Sequence, residues 1–171
     1  MIRTIDDLRS RLAEVRSADS SESVTRVALV STLGALHEGH VDLIREARRR
    51  ADIVVVSTFV NPLRFRTAEE TAAYPRSPQA DADLLAELGV DLVFAPTAAE
   101  LLPAGTATIR GAAGDPGFRY EGRSRPFYFD GVLTVEAKLF HLVRPDVAIY
   151  GERDLQRVFL VRRMIRDLDF M

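Results

Sequence analysis

The stretch Ser31-Thr-Leu-Gly-Ala-Leu-His-Glu-Gly-His40 lies between a β-branched run and a segment with helical periodicity. Residues 24–30 (VTRVALV) have the composition of a buried strand, and residues 41–51 repeat apolar side chains at helical spacing. The stretch is therefore predicted to be a turn from a strand into a helix. That connection is the basic unit of an α/β fold.

This turn has the chemistry of a phosphate site. Two of the three histidines of the chain, His37 and His40, fall in it, and Gly39 lies beside the start of the helix. Free amides at a helix N-terminus and the helix dipole attract phosphate oxygens, glycine permits close backbone approach, and two imidazoles add donors. The alternative interpretation is that His40 only caps the helix and His37 is a solvated loop residue.

Helices and strands alternate along the rest of the chain. The predicted helices are residues 4–15, 39–51, 77–88 (with Ser77 as N-cap), 129–143 and 155–168. The predicted strands are residues 24–30, 53–60, 91–95 and 147–150. Gly89 and the Arg144-Pro145 pair are expected to end two of the helices, and residues 105–122 are predicted to form an irregular Gly-rich excursion.

Hydrophobic strands joined by helices predict one domain, residues 1–171, of the α/β class with a doubly wound parallel sheet. In such a sheet, ligands bind outside the carboxyl ends of the strands, where the strand order reverses. Four segments follow the predicted strands: residues 37–40, 59–65 (FVNPLRF), 95–96 and 151–157 (GERDLQR). We expect all four to meet at one crevice.

Composition narrows the classes of function. A length of 171 residues, 47% of them hydrophobic and 28% charged, suits a single globular domain with a sizeable core. A net charge of −2 argues against nucleic acid as the main partner, and the lack of cysteine excludes disulfides and thiolate metal sites. No apolar run approaches the roughly 20 residues that span a bilayer, and the start MIRTIDDLRSRL is unlike a secretory signal. We expect a cytoplasmic protein without membrane association.

Considered together, the sequences of the four loops match the motifs of a single protein family. The chain resembles the N-terminal nucleotide-binding domain of the pantothenate synthetase (pantoate–β-alanine ligase) family. The matching segments are STLGALHEGH, FVNPLRF, AYPRS, GVDLVFAP, EGRSRPFYFDGVLTVEAKLF, RPD and GERD. H-x-G-H alone occurs throughout the wider HIGH-type nucleotidyltransferase superfamily, whereas the order and spacing of all the segments are specific. The resemblance implies a Rossmann-like fold of that superfamily.

The resemblance also implies an ATP-dependent, AMP-forming acid–amine ligase. Members of the family use ATP and Mg²⁺ to convert pantoate into pantoyl adenylate and pyrophosphate, and β-alanine then displaces AMP. Small-molecule acid and amine substrates and a homodimer are expected on the same basis. The alternative is a truncated or divergent paralogue that binds or transfers nucleotides with an altered substrate or without ligase activity.

Site residues are implied where this sequence matches the family motifs. His37 and His40 are expected to bind the ATP phosphates and stabilise the transferring α-phosphate. Arg153, at a position where the family has Lys, is expected to keep a catalytic positive charge with a different geometry. Asp154 resembles the family residue that binds the ATP ribose, although its position alone also suits a helix cap. The other residues expected to bind ATP are Leu33, Gly34, Gly39 and Gly151.

Departures from the family pattern fall on the acid side of the predicted crevice. Arg64 and Arg157 stand where the family has two glutamines that hydrogen-bond pantoate, and Tyr128 and Leu33 stand in place of His and Met. Two guanidiniums that face one pocket repel each other unless an anion lies between them. The acid bound by Leu33, Arg64 and Arg157 is therefore expected to be pantoate or a more anionic analogue. The alternative is that one or both Arg side chains point into solvent.

Two further expectations concern the metal and the end of the chain. Asp81 is the candidate Mg²⁺ ligand, with a solvated helix face as the alternative. Family sequences continue beyond a segment like residues 167–170 into another strand, a Ser-Ser-Arg loop and a small lid, so a C-terminal lid domain is expected to be absent. The chain is then either an excised nucleotide-binding domain or a short homologue in which dimerisation or a partner chain replaces the lid.

Overall fold

A computed structural model describes residues 1–17, 25–103, 105 and 108–170. Its strands are β1 (Val27–Thr32), β2 (Ile53–Thr58), β3 (Leu92–Phe94) and β4 (Val147–Ala148). They form one parallel sheet in the order β3-β2-β1-β4. The chain builds outward from β1 to β3 and then returns to the other side of β1 with β4. The predicted doubly wound α/β sheet is confirmed, and its strand order reverses between β1 and β4.

Helices connect and cover these strands. They are α1 (Ile5–Ser17), α2 (Glu38–Arg50), α3 (Ala68–Ala73), α4 (Pro78–Glu87), α5 (Ala98–Leu101), α6 (Glu121–Ser124), α7 (Tyr128–Val143) and α8 (Leu155–Asp167). Short 3-10 turns occupy Pro62–Arg64, Asp115–Phe118 and Glu152–Asp154. No helix in the described part of the chain is long and apolar enough to cross a membrane.

The sheet is covered on both faces. Successive residues of β1 alternate between two apolar clusters, with Val27 and Leu29 on one face and Ala28 and Val30 on the other. The first cluster contains side chains of α1, α7 and α8, and the second contains side chains of α2 and α4. This burial on both faces explains why the strands are continuous apolar runs instead of alternating apolar and polar residues.

Carboxylates fix the amino ends of two strands. The Val27 amide donates to Asp146 at 2.7 Å, and the Val54 amide donates to Asp91 at 2.7 Å. Asp91 also pairs with Arg48 at the end of α2 at 2.6 Å. These contacts anchor the loops at the amino ends of the strands. The carboxyl ends of the strands, on the opposite side of the sheet, are left for ligands.

The long elements were predicted correctly, whereas short ones were not. Val24, placed in the first predicted strand, lies outside the described residues, and β2 and β4 end two residues earlier than predicted. Ser77 occupies the N-cap of α4, but its hydroxyl donates to Asp81 instead of capping the helix. The predicted irregular excursion contains a 3-10 turn and the start of α6. Helices α3 and α5 were missed because they are only six and four residues long.

Candidate active site at the switch in strand order

The segment after β1 leads into α2 through a pair of histidines that cap the helix. His37 is the N-cap of α2, and its Nδ1 accepts a hydrogen bond from the Gly39 amide at 3.1 Å. His40 accepts one from the His37 amide through its own Nδ1 at 3.2 Å. This reciprocal arrangement is a capping box in which imidazoles replace the usual hydroxyl and carboxylate. The ring centroids are 4.1 Å apart, so both rings lie side by side at the helix start.

The cap determines which ring nitrogens can bind a ligand. A neutral imidazole carries one proton, and a nitrogen that accepts a hydrogen bond does not carry it. Because both Nδ1 atoms accept, the proton of each neutral ring is on Nε2. The alternative in which His40 is the cap and His37 only a solvated loop residue is wrong in its choice of cap, since the exposed His37 is the N-cap and its ring accepts from the Gly39 amide. Two N–H donors are thus presented at the positive end of the α2 dipole.

His40 is half-buried, and its pKa is lowered. Burial is the largest cause and the neighbouring His37 adds to it, whereas the carboxylates of Asp81 and Asp154 oppose the shift. His40 is therefore neutral near pH 7 and acts as a hydrogen-bond donor. The opposing effect of Asp154 also indicates that the segment after β4 lies close to the histidine pair, across the switch in strand order.

Gly151, Arg153 and Asp154 lie in the turn between β4 and α8. Asp154 is the N-cap residue of α8, but its side chain makes no capping hydrogen bond, so the alternative of a simple cap is wrong. Its carboxylate accepts from Arg157 Nη1 at 3.2 Å and is 51% exposed. Arg153 is exposed, and within the described residues no hydrogen bond or ion pair occupies it. A carboxylate and a guanidinium are therefore both open to a ligand here.

Two glycines shape the turn after β1. Gly34 has a φ of +81°, in the left-handed region, and a Cβ there would lie 3.1 Å from Asp81 Oδ2. A Cβ on Gly39 would lie 3.0 Å from the His37 ring. The Gly39 amide was predicted to face phosphate, but the structure uses it to bind the His37 ring. Gly39 therefore makes room for the cap and does not present a free donor.

Asp81, the candidate metal ligand, holds the backbone instead. It is buried, and its two oxygens accept from the Ala35 and Leu36 amides, each at 2.9 Å, and from Ser77 Oγ at 2.9 Å. The solvated-face alternative is wrong for Asp81, because the side chain is buried and its oxygens fix the loop that leads to His37. Its role as a Mg²⁺ ligand stays a prediction, which these hydrogen bonds do not favour. Among the residues that the structure describes, no group of three or more His, Cys, Asp or Glu side chains is placed to hold a metal ion.

Arg157 is buried against Glu136, a residue that the sequence analysis missed. Their side chains are 13% and 4% exposed, and Arg157 donates to Glu136 through Nε and Nη2 and to Ser31 Oγ at 2.6 Å. The Tyr150 hydroxyl donates to the second Glu136 oxygen at 2.9 Å, and burial beside that carboxylate raises the pKa of Tyr150. The alternative of a solvent-facing Arg157 is wrong. The anion expected beside it is a carboxylate of the protein, so the premise of a more anionic acid fails at Arg157.

The sequence carries a signal for Glu136. It lies four residues after Val132 and four before Phe140, on the buried side of α7. A carboxylate at a core position needs a buried counter-charge. Arg157 was already a candidate for the same region, so the ion pair could have been inferred from helical periodicity.

Arg64 faces the same cavity from the turn that follows β2. It donates through Nη2 to the Tyr128 hydroxyl, and the Arg125 guanidinium stacks 3.9 Å from the centre of the Tyr128 ring. The Nε atom of Arg64 is buried and has no hydrogen-bond partner among the described residues. The structure therefore brings Arg64 and Arg157 to one cavity, as predicted.

Leu33 joins this cavity to a wider cleft. The cleft has a volume of about 360 Å³ and is lined by residues 33–35 after β1, 58–60 at the end of β2 and 95–98 after β3. A volume of this size is at the lower end of the range for small-molecule sites. Arg157 brings the fourth loop to the cavity on the other side of Leu33. The segments after β1, β2 and β3 thus line one cleft, and the fourth reaches the adjoining cavity, whereas residues 37–40 line neither space. The predicted convergence of all four loops on one crevice is confirmed only in part.

Known proteins similar to this chain include members of one family of ligases. A model of the pantoate–β-alanine ligase family matches residues 1–171. The chain belongs to the pantoate–β-alanine ligase family. The pantothenate synthetase of Acidothermus cellulolyticus is 52% identical over 167 residues, which are 98% of this chain and 52% of that relative. The pantoate–β-alanine ligase of Schizosaccharomyces pombe is 50% identical over 146 residues, 85% of this chain and 52% of that relative.

Solved structures of the pantoate–β-alanine ligase family share the fold. The pantothenate synthetase of Thermus thermophilus superposes with a TM-score of 0.85 at 44% identity, covering 99% of this chain and 58% of that one. The enzyme of Francisella tularensis, solved with β-γ ATP and β-alanine, gives 0.88 at 35% identity, covering 99% of this chain and 64% of that one. This family member therefore spans about half the length of the relatives it matches in sequence.

Proposed function

We propose that this chain binds ATP and activates a hydroxy acid as an acyl adenylate, which an amine such as β-alanine converts into an amide. The observation that carries the proposal is the pair of Nε2–H donors of His37 and His40 at the start of α2, close to the open carboxylate of Asp154. Membership of the pantoate–β-alanine ligase family supports the same reaction.

Adenylation asks the protein for positioning and charge stabilisation. A carboxylate oxygen of the acid attacks the α-phosphorus of ATP, the bond to the bridging oxygen breaks, and pyrophosphate leaves with that electron pair. No proton needs to move, so the main task is to stabilise negative charge on phosphate oxygens. His37 and His40 donate to those oxygens, Arg153 adds a positive charge, and the Asp154 carboxylate accepts from a ribose hydroxyl.

Amide formation follows in the same crevice. The amine nitrogen attacks the acyl carbon, AMP leaves with the electron pair of the broken bond, and the nitrogen releases a proton. Leu33 lies between the cleft and the inner cavity, so it separates the nucleotide from the acid, and Gly34 lines the cleft beside it. Gly151 leaves open space, with nothing within 4 Å of a Cβ built there, and so permits close approach of ATP.

We propose that Mg²⁺ enters with ATP. This ion keeps several waters and is commonly held by substrate phosphates together with one or two carboxylates. Asp154 is assigned to the ribose and both oxygens of Asp81 are already bonded, so the substrate phosphates and water would supply most of the ligands of the ion. When bound, Mg²⁺ would neutralise charge on the phosphates.

On the family resemblance we further propose a cytoplasmic homodimer. Sedimentation velocity over a range of protein concentrations tests the oligomeric state. A species of monomer mass at every concentration would contradict this proposal without touching the adenylation chemistry.

Exchange of labelled pyrophosphate into ATP tests the adenylation step. We expect exchange only when an acid is present, with pantoate compared with a panel of hydroxy acids, and amide formation when β-alanine is added. His40→Asn should lower exchange by about 10- to 100-fold, because a hydrogen bond to a charged group is lost. His141→Asn, on the far part of α7 in contact with Phe170, is the matched control and should leave exchange unchanged.

Two outcomes would contradict the proposal. Binding of ATP without acid-dependent exchange would favour the alternative, a nucleotide-binding paralogue without ligase activity. Equal losses in the His40 and His141 variants would show that the histidine pair has no special role. Exchange that appears only after a second polypeptide is added would keep the chemistry and assign the cover of the crevice to that partner.

A further inference from the structure

The inner cavity between β1 and the start of α8 contains polar atoms that have no partner. It has a volume of about 20 Å³, room for about one water-sized group. Ser57 Oγ and Arg64 Nε, from two residues that line it, are buried without a hydrogen-bond partner in the described part of the chain. A buried polar atom without a partner costs free energy, so these atoms indicate a place for a small polar group.

Three arginines lie at or near this cavity, and they differ in whether a carboxylate of the protein neutralises them. Arg157 is paired with Glu136 and makes a second contact with Asp154 at 3.2 Å. Arg125, which stacks on the Tyr128 ring, is paired with Glu121 at 3.0 Å. In contrast, no ion pair within the described residues involves Arg64, whose guanidinium donates to the neutral Tyr128 hydroxyl.

The donors of Arg157 are nearly all used. Its five N–H groups supply Glu136, Ser31 and Asp154, which leaves little capacity for a ligand. Tyr150 stacks near the same guanidinium, with 4.9 Å between Cζ and the ring centre, and closes it from another side. Arg157 therefore serves as the internal counter-charge of Glu136, and Arg64 is left as the cation that a ligand meets.

We infer that Glu136 is a specificity-determining residue that limits the acid to a single negative charge. By cancelling Arg157 it leaves one unpaired cation, Arg64, to match one carboxylate. The cavity then accepts a small uncharged group, for example a hydroxyl that accepts from Arg64 Nε and donates to Ser57 Oγ. This inference rests on the proposed function and names its substrate class: a monoanionic hydroxy acid, not a dicarboxylate or a phosphorylated acid.

Size supports the same choice as charge. A cavity for about one water-sized group admits a hydroxyl but not a hydrated second carboxylate. A second anion near Glu136, whose side chain is 4% exposed, would also meet a like charge in a poorly solvated place. Both effects disfavour a dianion.

The experiment compares pantoate, a monoanion, with malate, a dianionic 2-hydroxy acid. Binding of each is measured by calorimetry, and each is also tested in pyrophosphate exchange, for the wild type, Glu136→Gln, Arg157→Gln and the double variant. We expect the wild type to prefer pantoate, and Glu136→Gln to move the ratio of affinities toward malate by at least about 10-fold, because it frees a second cation. The double variant should return to the wild-type preference, since Arg64 is again the unpaired cation.

Stability is measured in parallel, because removing one partner of a buried ion pair destabilises a protein. If Glu136→Gln fails to fold, Arg157→Gln still decides: it leaves the Glu136 charge unpaired and should move the ratio further toward pantoate, whereas the double variant should show the wild-type ratio. Glu46→Gln, which breaks the ion pair of a partly exposed Glu with Arg50 on α2, is the matched control and should not change the preference. A purely structural role of Glu136 predicts equal losses for both acids.

The outcomes separate this inference from the function on which it rests. A wild type that prefers malate, or a folded Glu136→Gln variant with an unchanged preference, overturns the inference while adenylation stands. A wild type that binds pantoate but shows no exchange removes the proposed function, and the binding ratios still decide the role of Glu136. A wild type that binds neither acid overturns both.

Discussion

His37 combines a structural and a chemical task in one side chain. Its Nδ1 caps α2 by accepting from the Gly39 amide, and its Nε2–H is left to donate to a ligand. Serine or threonine would cap the same helix but would offer no donor at the distance of the far ring nitrogen. The two tasks can be separated, because asparagine is a good N-cap residue.

Substitution of His37 tests this division. His37→Asn should keep the stability of the wild type, whereas His37→Ala should lower the free energy of unfolding by about 1 kcal/mol, because the cap is lost. Both variants should lose about 10- to 100-fold in pyrophosphate exchange, since neither has the Nε2 donor. Urea unfolding and the exchange assay measure the two effects. Full activity in His37→Asn would mean that the ring is only a cap.

The lowered pKa of His40 predicts a pH dependence of stability. The pKa is below the ordinary value of 6.5 in the folded protein, chiefly because of burial, so the unfolded chain binds the proton more readily. The contribution of neutral His40 is therefore complete above about pH 6.5 and is lost as the pH falls below it. Between about pH 7.5 and about pH 5, the wild type should lose more stability than His40→Asn.

A nuclear magnetic resonance titration checks the cause of that shift. In Asp154→Asn the pKa of His40 should fall further, because a carboxylate that raises it has been removed. An unchanged value would show that Asp154 and His40 do not face each other in solution.

At the scale of elements, α4 positions the turn after β1 through one carboxylate. Asp81 accepts from two consecutive amides of that turn, where Ala35 has a φ of +50°. Two short bonds from a buried side chain can hold a non-glycine residue in this uncommon conformation. The position of His37 therefore depends on a contact that α4 makes with the backbone of the turn.

Asp81→Asn should lower the free energy of unfolding by about 1–3 kcal/mol, since one backbone amide loses its acceptor. The Mg²⁺ concentration that gives half-maximal exchange should not change. Asp83→Asn, two residues further on the exposed side of α4, is the control and should alter stability by less than about 0.5 kcal/mol. A large increase in the Mg²⁺ requirement of Asp81→Asn would restore Asp81 as a metal ligand.

Periodicity and strand-end rules predicted the elements and the edge of the sheet where the site lies, because both depend on burial patterns written in the sequence. The partners of individual side chains were less accessible. These partners depend on how the chain folds around each side chain. Examples are the cap formed by His37, the backbone amides bound by Asp81 and the pairing of Glu136 with Arg157. Only Glu136 left a sequence signal, since a charge stands at a core position of α7.

At the scale of the whole molecule, one sheet is shared by two apolar clusters. The site lies at the carboxyl ends of β1 and β4, where contacts from α2, α7 and α8 meet. Because β1 and β2 contribute alternate residues to both clusters, neither cluster can lose its packing without disturbing the same strands. The geometry of the site should therefore depend on both faces of the sheet.

Truncations on the two faces test whether the molecule is one cooperative unit. Leu12 on α1 and Ile44 on α2 are 2% and 1% exposed and belong to different clusters. Leu12→Ala and Ile44→Ala should each lower the free energy of unfolding by about 2–5 kcal/mol through lost burial and a cavity. Leu168→Ala, at a residue that is 60% exposed, should change it by less than about 0.5 kcal/mol.

Urea unfolding followed by circular dichroism should show one transition in all three variants, and hydrogen exchange should report the loss of protection in β1 and β2 whichever face is truncated. Two separate transitions, or a loss of protection confined to the truncated face, would show that the clusters unfold independently and that the site is supported from one side of the sheet alone.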